Sequence, residues 1–507
     1  MIELALIAWF PLTILLFISL RPHIAATISL VGGVAVLPSL RAIELPILPN
    51  LDQYTVPLYA SFLMVAVRYP QRLVAARPGR GGEALVIAMC VGAVITNVTN
   101  TDAQIFGANI LPGMRPTDII NDIFELAIFW GLPFLLGRML IRSTSEAIDV
   151  LVVLALAGLI YVPFIMFELY AGPFFHAKIY GAAPAPSTFS QNMKFGGYRP
   201  VVLMNHGLTL SSFMFYVTVA WVALSKIRHM PFRVIPPAPI VGGMTLIVGL
   251  CKSVGVWLYA AAVIPVLYAV RPKAQLFAAI CLSATILTYP FLRSLDMIPI
   301  EAVAEVTQEF VGLRSANSFM ARIESEDEII DRTAERYLFG WGEGGRSMIY
   351  DPVTGRSTSI VDGLWLIQFG IGGMFRFVTL FSFLLFPVFY AYQRLGKISN
   401  STTRQILCAL VWIVAIRTFD LLPNSTIDPY LTFLGGTICG LVKGEAKSEA
   451  RAARAKTRAP GRIKTSSTRR GTTGSQGEPE SGVPENRSAS LAAHLRNEQA
   501  RGEPRDT

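Results

Sequence analysis

The chain has 507 residues, a mean hydropathy of +0.49 and 15% charged residues, which is too apolar for a soluble protein of this length. Its formal charge of +10 does not point to nucleic acid, because the lysines and arginines are spread over short loops and gathered in the C-terminal segment. Composition leaves an all-α polytopic membrane protein whose positive charge faces anionic lipid headgroups.

A helix of roughly 17–25 apolar residues crosses a hydrocarbon core. About 12–13 transmembrane helices are expected, near 2–20, 23–40, 56–67, 84–98, 119–140, 147–169, 200–224, 234–250, 254–270, 273–292, 361–390, 405–422 and 428–442. The third and fourth runs are short. The first run lacks a basic leader and a small-residue cleavage site, so it reads as a retained helix. Cys90, Cys251, Cys281, Cys408 and Cys439 all lie in or at the ends of apolar runs and read as packing residues, with no disulfide and no metal. No repeat relates the two halves of the chain.

Lysine and arginine are retained on the cytoplasmic side. Placing Arg68, Arg72, Arg77 and Arg80 inside also places Arg138 with Arg142, Lys226 with Arg228 and Arg233, Arg271 with Lys273, and Arg394 with Lys397 and Arg404 inside. Three sizeable loops then fall outside, at 99–118, 170–199 and 293–358. The last, between the tenth and eleventh helices, holds seven arginines, many acids and no lysine. The N-terminus is expected outside and the C-terminus inside. Four regions follow: helices over 1–292, the arginine-rich loop 293–360, helices over 361–443, and 444–507, a basic cytoplasmic tail too polar to offset its ordering entropy.

Guanidinium is planar, permanently charged and offers paired donors, so an arginine-only loop suits phosphate oxygens. The competing reading is a solvated surface whose acids and arginines neutralise one another. Glu328, Arg332 and Arg336 recur at four-residue spacing and share a face if the segment is helical. Gly340, Gly342, Gly344 and Gly345 follow, so the chain turns sharply beside Glu343. Upstream, Arg199 precedes Pro200, a residue suited to open a helix whose N-terminus would favour an anion. His206 lies two turns further on and reads as a packing histidine or a base. Lys252 stands between two apolar runs, where it needs water or an anion. Asp362, at the re-entry into the membrane, reads as an N-cap or a base. Arg376 falls in or near the bilayer.

These segments resemble the O-antigen ligase and O-antigen polymerase family, multi-span bacterial glycosyltransferases that use glycans linked to undecaprenyl diphosphate. The likeness rests on Leu338-Phe339-Gly340-Trp341-Gly342, on Phe369-Gly370-Ile371-Gly372-Gly373, on Gly197-Tyr198-Arg199-Pro200 with His206-Gly207-Leu208, and on Ser253-Val254-Gly255-Val256-Trp257, which is similar to the family's Ser-Arg-Gly-Ala-Trp turn. It covers about 197–389. Val254 replaces the family's arginine, with Lys252 two residues earlier. The His-Asn pair of many ligases is missing and Val361-Asp362 stands nearby; some members of the polymerase branch also lack it, which favours polymerisation over ligation.

The resemblance implies an inner-membrane, metal-independent glycosyltransferase without cofactor that moves glycan from undecaprenyl diphosphate to a glycan or lipid-linked acceptor. Arg199, Lys252, Arg332 and Arg336 would neutralise the diphosphate, Arg332 and Arg336 also acting in catalysis. Asp362, or otherwise Glu343, would deprotonate the acceptor, with His206 and Arg376 as secondary candidates. Membrane lipids and polysaccharide export or chain-length proteins are the further partners implied. The rival reading is a transporter or flippase of lipid-linked oligosaccharide, which would show broken helices and ionisable residues near the midplane, where Glu125 and Arg376 are candidates.

Overall fold

Proline at the first position opens six of the described helices, three of them behind an arginine: Arg21-Pro22, Arg115-Pro116 and Arg271-Pro272. Proline has no N–H to leave unsatisfied there and its fixed φ is already helical. The structure, a computed structural model, describes residues 1–39, 42–45, 48–76, 81–182, 192–232, 234–295, 297–311, 313–359 and 361–458. The chain begins with α1 (Ile2–Ser19), α2 (Pro22–Val36), α3 (Thr55–Arg68), α4 (Pro70–Ala76) and α5 (Glu83–Val98), then a hairpin of β1 (Gln104–Phe106) and β2 (Asn109–Leu111). A single rod follows, made of α6 (Pro116–Glu125), a π-helical turn (Leu126–Gly131) and α7 (Leu132–Leu140). Next come α8 (Thr144–Ala171), α9 (Phe175–Tyr180) and a second hairpin, β3 (Met193–Lys194) with β4 (Gly197–Tyr198). α10 (Gly207–Lys226), α11 (Pro237–Leu250), α12 (Val254–Ala269) and α13 (Pro272–Ser294) lead to α14 (Ile300–Val311) and α15 (Leu313–Ala334). The chain closes with α16 (Leu364–Arg394), α17 (Ser401–Asp420) and α18 (Pro429–Arg458).

Each expected span falls on a helix. Seven are apolar and long enough to cross a membrane: Ile2–Ser19, Pro116–Leu140, Thr144–Ala171, Gly207–Lys226, Pro272–Arg293, Leu364–Lys397 and Ser401–Asp420. Five shorter apolar helices, α2, α3, α5, α11 and α12, accompany them. By length and composition this is a mostly helical, multi-pass membrane protein. α10 is apolar all round and buried along nearly its whole length, which makes it the central helix. It packs on α8, α11, α12 and α17, while α16 packs on α5, α13 and α17.

The basic loops meet at one end of this bundle. Arg72 donates to the carbonyl oxygen of Leu140, Arg142 to that of Arg72, and Arg138 pairs with Glu83. Thr144 donates to Glu445, and Ser399 to Glu449. The loops after α5, after α8 and before α16 gather at the other end. Arg77, Arg80 and Arg233 of the expected inner loops lie outside the described residues.

Four expectations need correction. Pro200 does not open a helix; α10 starts at Gly207 with His206 as its N-cap, because residues 200–206 are held in irregular backbone with Val202 at φ +59°. The stretch 293–360 is not a loop throughout, since α14 and α15 pack together within it. α15 ends at Ala334, so Arg336 lies beyond the helix and does not continue the face of Glu328 and Arg332. α18 continues to Arg458, past the expected start of the tail at 444, and the chain beyond it lies outside the described residues. The compact unit runs over Met1–Ala455.

α16 is broken. Gly372 and Gly373 leave helical geometry, Gly373 at φ +65° and ψ −167°, a region open to glycine alone. The Tyr337–Gly342 turn fills the gap. Trp341 and Gly342 donate their N–H groups to the carbonyls of Gly370 and Ile371, and Met374 and Phe375 donate to those of Tyr337 and Leu338. Helix hydrogen bonds lost at the break are thereby replaced by bonds to the turn.

Candidate functional site

The strongest site grows from a buried carboxylate. Glu168, fully buried near the end of α8, accepts four backbone N–H groups: Phe174 and Phe175 on Oε1 at 2.8 and 3.0 Å, Val201 and Val202 on Oε2 at 2.8 and 2.7 Å. Charge-assisted bonds of this kind are the strong ones. They tie the segment after Arg199 to α8 and hold Val202 in a backbone region that β-branched residues avoid.

Arg199 is thereby pressed into the protein with 3% of its surface exposed. Its backbone N–H donates to the carbonyl of Asn192, yet its Nε and Nη2 have no partner among the described residues. Burial pulls its pKa down to about 10. Gly207 makes room for it, since a Cβ there would lie 2.5 Å from Nε. A buried guanidinium without an anion is costly, and such a cost is retained where an anion is to be bound.

Other polar groups lie nearby. His206 caps α10, its Nδ1 accepting the N–H of Leu208 at 3.1 Å, which leaves the proton of the neutral ring on Nε2. Burial, then the charges of Arg199 and Lys194, push its pKa down to about 4. Lys252 sits between α11 and α12 at φ +55°, its Nζ 2.6 Å from where a Cβ on Gly197 would be, and partial burial lowers its pKa. Lys194 lies on the facing strand of the same hairpin. Asp362 acts on His206 from across the site and is bound to Arg322 Nε at 2.7 Å. It is not the N-cap of α16, a position taken by Gly363.

Arg199 and Asp362 are thus brought within electrostatic reach of His206, and Lys252 reaches Gly197 on the hairpin that precedes Arg199. Arg332 and Arg336 are placed elsewhere. Both guanidiniums lie on the Trp341 ring, 3.9 and 4.6 Å from its centroid. Arg336 Nη1 donates to the Thr99 carbonyl at 2.6 Å and to Asn100 Oδ1 at 2.8 Å, and Arg332 Nη2 to Gln104 at 3.2 Å. Arg346, buried beside them, donates to the carbonyls of Trp341, Pro112 and Asp102. These arginines staple the loop after α5 to the turn that fills the break in α16.

Glu343 and Arg376 form a third group. Arg376, buried just after the break, donates to Gln368 Oε1 at 2.7 Å and meets Glu343 at 3.3 Å. Asp122 and Glu125, beside the π-helical turn, lie within electrostatic reach of both.

Sequence reasoning passed over Glu168, Lys194 and Arg322. An acid that closes the uncharged run 150–167 of a 28-residue helix is the signal that marks Glu168. Lys194 was legible only once the Phe195-Gly196 turn folded it back against Gly197. Arg322 carried no such mark, because its partner lies 40 residues away beyond two turns of chain. No family model matches the chain, and no curated protein matches it in sequence.

Proposed function

We propose that the protein is a glycosyltransferase of the bacterial inner membrane, with its C-terminus cytoplasmic, that transfers glycan from a polyprenyl diphosphate to a sugar hydroxyl at the outer face. Polymerisation is favoured over ligation. The observation that supports this reading is Arg199, a buried cation with two donors unpaired among the described residues, whose charge with that of Lys194 acts on a neutral His206 and which follows the hairpin glycine that Lys252 reaches. A diphosphate supplies the missing charge and acceptors. In the reaction the bond between the anomeric carbon and the diphosphate oxygen breaks while the acceptor oxygen bonds to that carbon. The electron pair departs with the polyprenyl diphosphate, where Arg199 and Lys252 stabilise it, and Nε2–H of His206 donates to a phosphate oxygen. Asp362 takes the acceptor proton, Arg322 holding the carboxylate in place beforehand. Arg332 and Arg336 serve as scaffold under this reading and not as ligands.

A second reading, a transporter of lipid-linked oligosaccharide, draws on the break in α16 with Arg376, Glu343, Asp122 and Glu125 around it, since interrupted helices bearing ionisable residues line transport sites. One experiment separates the two. Purified protein in nanodiscs is given a synthetic polyprenyl-diphosphate glycan and an acceptor, and product is followed by mass spectrometry. Turnover that falls by roughly one to two decades in Arg199→Lys, where the charge stays and the fork is lost, supports the transferase. Movement of intact donor across liposomes without any product supports the transporter.

A further inference from the structure

The hairpin that carries Lys194 turns through two residues, Phe195 and Gly196, both in the left-handed region at φ +48° and +67°. Such turns suit Asn-Gly, and an aromatic residue at the first position is strained. The strain holds the Phe195 ring over the indole of Trp257 on α12, centroids 5.3 Å apart and planes 30° from parallel. Phe195 is still 55% exposed as a residue, although stacking would normally help bury it. Met193 on the same hairpin and Leu258, next along α12, also present apolar surface. Beneath the hairpin, Lys252 Nζ reaches to Gly197, and Arg199 follows two residues later. An exposed aromatic and apolar surface is therefore continuous with Lys252 and with the outer face of α12, where Leu258 is exposed while Val256, Ala260, Val263 and Leu267 face the core.

We propose that Phe195 and Trp257 seat the first isoprene units of the polyprenyl chain as it leaves the phosphate for the bilayer. This rests on the reading of Arg199 as the diphosphate site. An isoprenoid fits better than a sugar ring, because sugar subsites need side-chain acceptors and amides around the aromatic face and the neighbours here are methionine and leucine. The chain gives the exposed ring an apolar partner, and the energy of that contact holds the phosphate against Arg199 and Lys252.

The test compares binding of inorganic diphosphate, geranyl diphosphate and farnesyl diphosphate to the full chain in detergent by titration calorimetry. In the wild type, affinity rises with chain length. Phe195→Gly relieves the backbone strain while removing the ring, so the hairpin is retained, and it lowers farnesyl diphosphate affinity about tenfold with inorganic diphosphate unchanged. Trp257→Phe keeps a ring beneath and gives a smaller loss. A chain-length gain that survives in Phe195→Gly overturns the proposal and leaves the Arg199 site standing. Equal loss for inorganic and farnesyl diphosphate also overturns it, since the ring would then act on the cations. Failure of the wild type to bind any of the three removes the diphosphate site, and this proposal with it.

Discussion

The backbone N–H of Trp341 donates to the carbonyl oxygen of Gly370 at 2.9 Å, and this bond joins two glycine-rich motifs that lie 29 residues apart in the chain. Leu338–Gly342 and Phe369–Gly373 are mated surfaces: one is the plug and the other the break that it fills. A Cβ on Gly373 would lie 2.3 Å from the Leu338 carbonyl carbon, and one on Gly340 would lie 2.5 Å from the Ile371 oxygen.

Gly373→Ala and Gly340→Ala should each cost about 2–4 kcal/mol, combining a forbidden backbone conformation with a clash against main chain. Gly181 is the control: it also has positive φ, at +76°, but nothing lies within 4 Å of its Cβ position. Gly181→Ala should cost about 1 kcal/mol. Thermal unfolding of the three variants in detergent orders them, and equal midpoints for Gly373→Ala and Gly181→Ala would show that the plug contributes nothing.

The helices were legible because burial in lipid leaves long apolar runs, and of the two glycine motifs the first was visible as a turn while the second read as part of an apolar span. What could not be read was that they touch, since pairing across 29 residues leaves no periodic trace. The site divides in the same way. Arg199 and Lys252 stood out as charges amid apolar sequence, a local property, while the sorting of the loop arginines into scaffold depended on where Thr99, Asn100 and Trp341 arrive in space. The misplaced start of α10 has a local cause overruled by a distant one. Pro200 favours a helix, but Glu168 from α8 takes the N–H groups of Val201 and Val202 and holds the chain irregular until His206 caps the helix.

Arg336 offers a test of scaffold against ligand. Its Nη1 serves both the Thr99 carbonyl and Asn100 while its plane lies on Trp341, so Arg336→Lys should lose about 1–2 kcal/mol of stability. Turnover per folded molecule should stay within about threefold of wild type, a difference below ~1 kcal/mol. A fall of a decade or more with an unchanged unfolding midpoint would return Arg336 to the diphosphate.

His206 gives the protein a pH dependence with a definite sign. Its pKa in the fold is about 4, below the ordinary value of 6.5, so between these values the unfolded chain binds more protons than the native one. Stability from this group is complete above pH 6.5 and is lost as pH falls from there through 4. In His206→Asn, which keeps a capping side chain, the unfolding midpoint should depend less steeply on pH in that window. Parallel curves for the two proteins would mean that the ring is not held neutral by burial and by the charges of Arg199 and Lys194.

The two ends of the bundle make a prediction about sidedness. α10 runs 20 residues, about 30 Å at 1.5 Å per residue, from His206 in the cation cluster to Lys226 among the basic loops. The site and Lys226 must therefore lie on opposite faces of the membrane that α10 crosses. Lys178, beyond the C-terminal end of α8, and Glu324, on α15 near Arg322, belong with the site; Arg394 at the end of α16 belongs with Lys226. In a background with Cys90, Cys251, Cys281, Cys408 and Cys439 replaced, single cysteines at 178 and 324 should react with a membrane-impermeant maleimide added to intact cells. Those at 226 and 394 should react only after the cells are opened. Labelling of 226 from outside with 178 protected would invert the chain and put the cation cluster in the cytoplasm, where a lipid-linked glycan awaiting transfer at the outer face could not reach it.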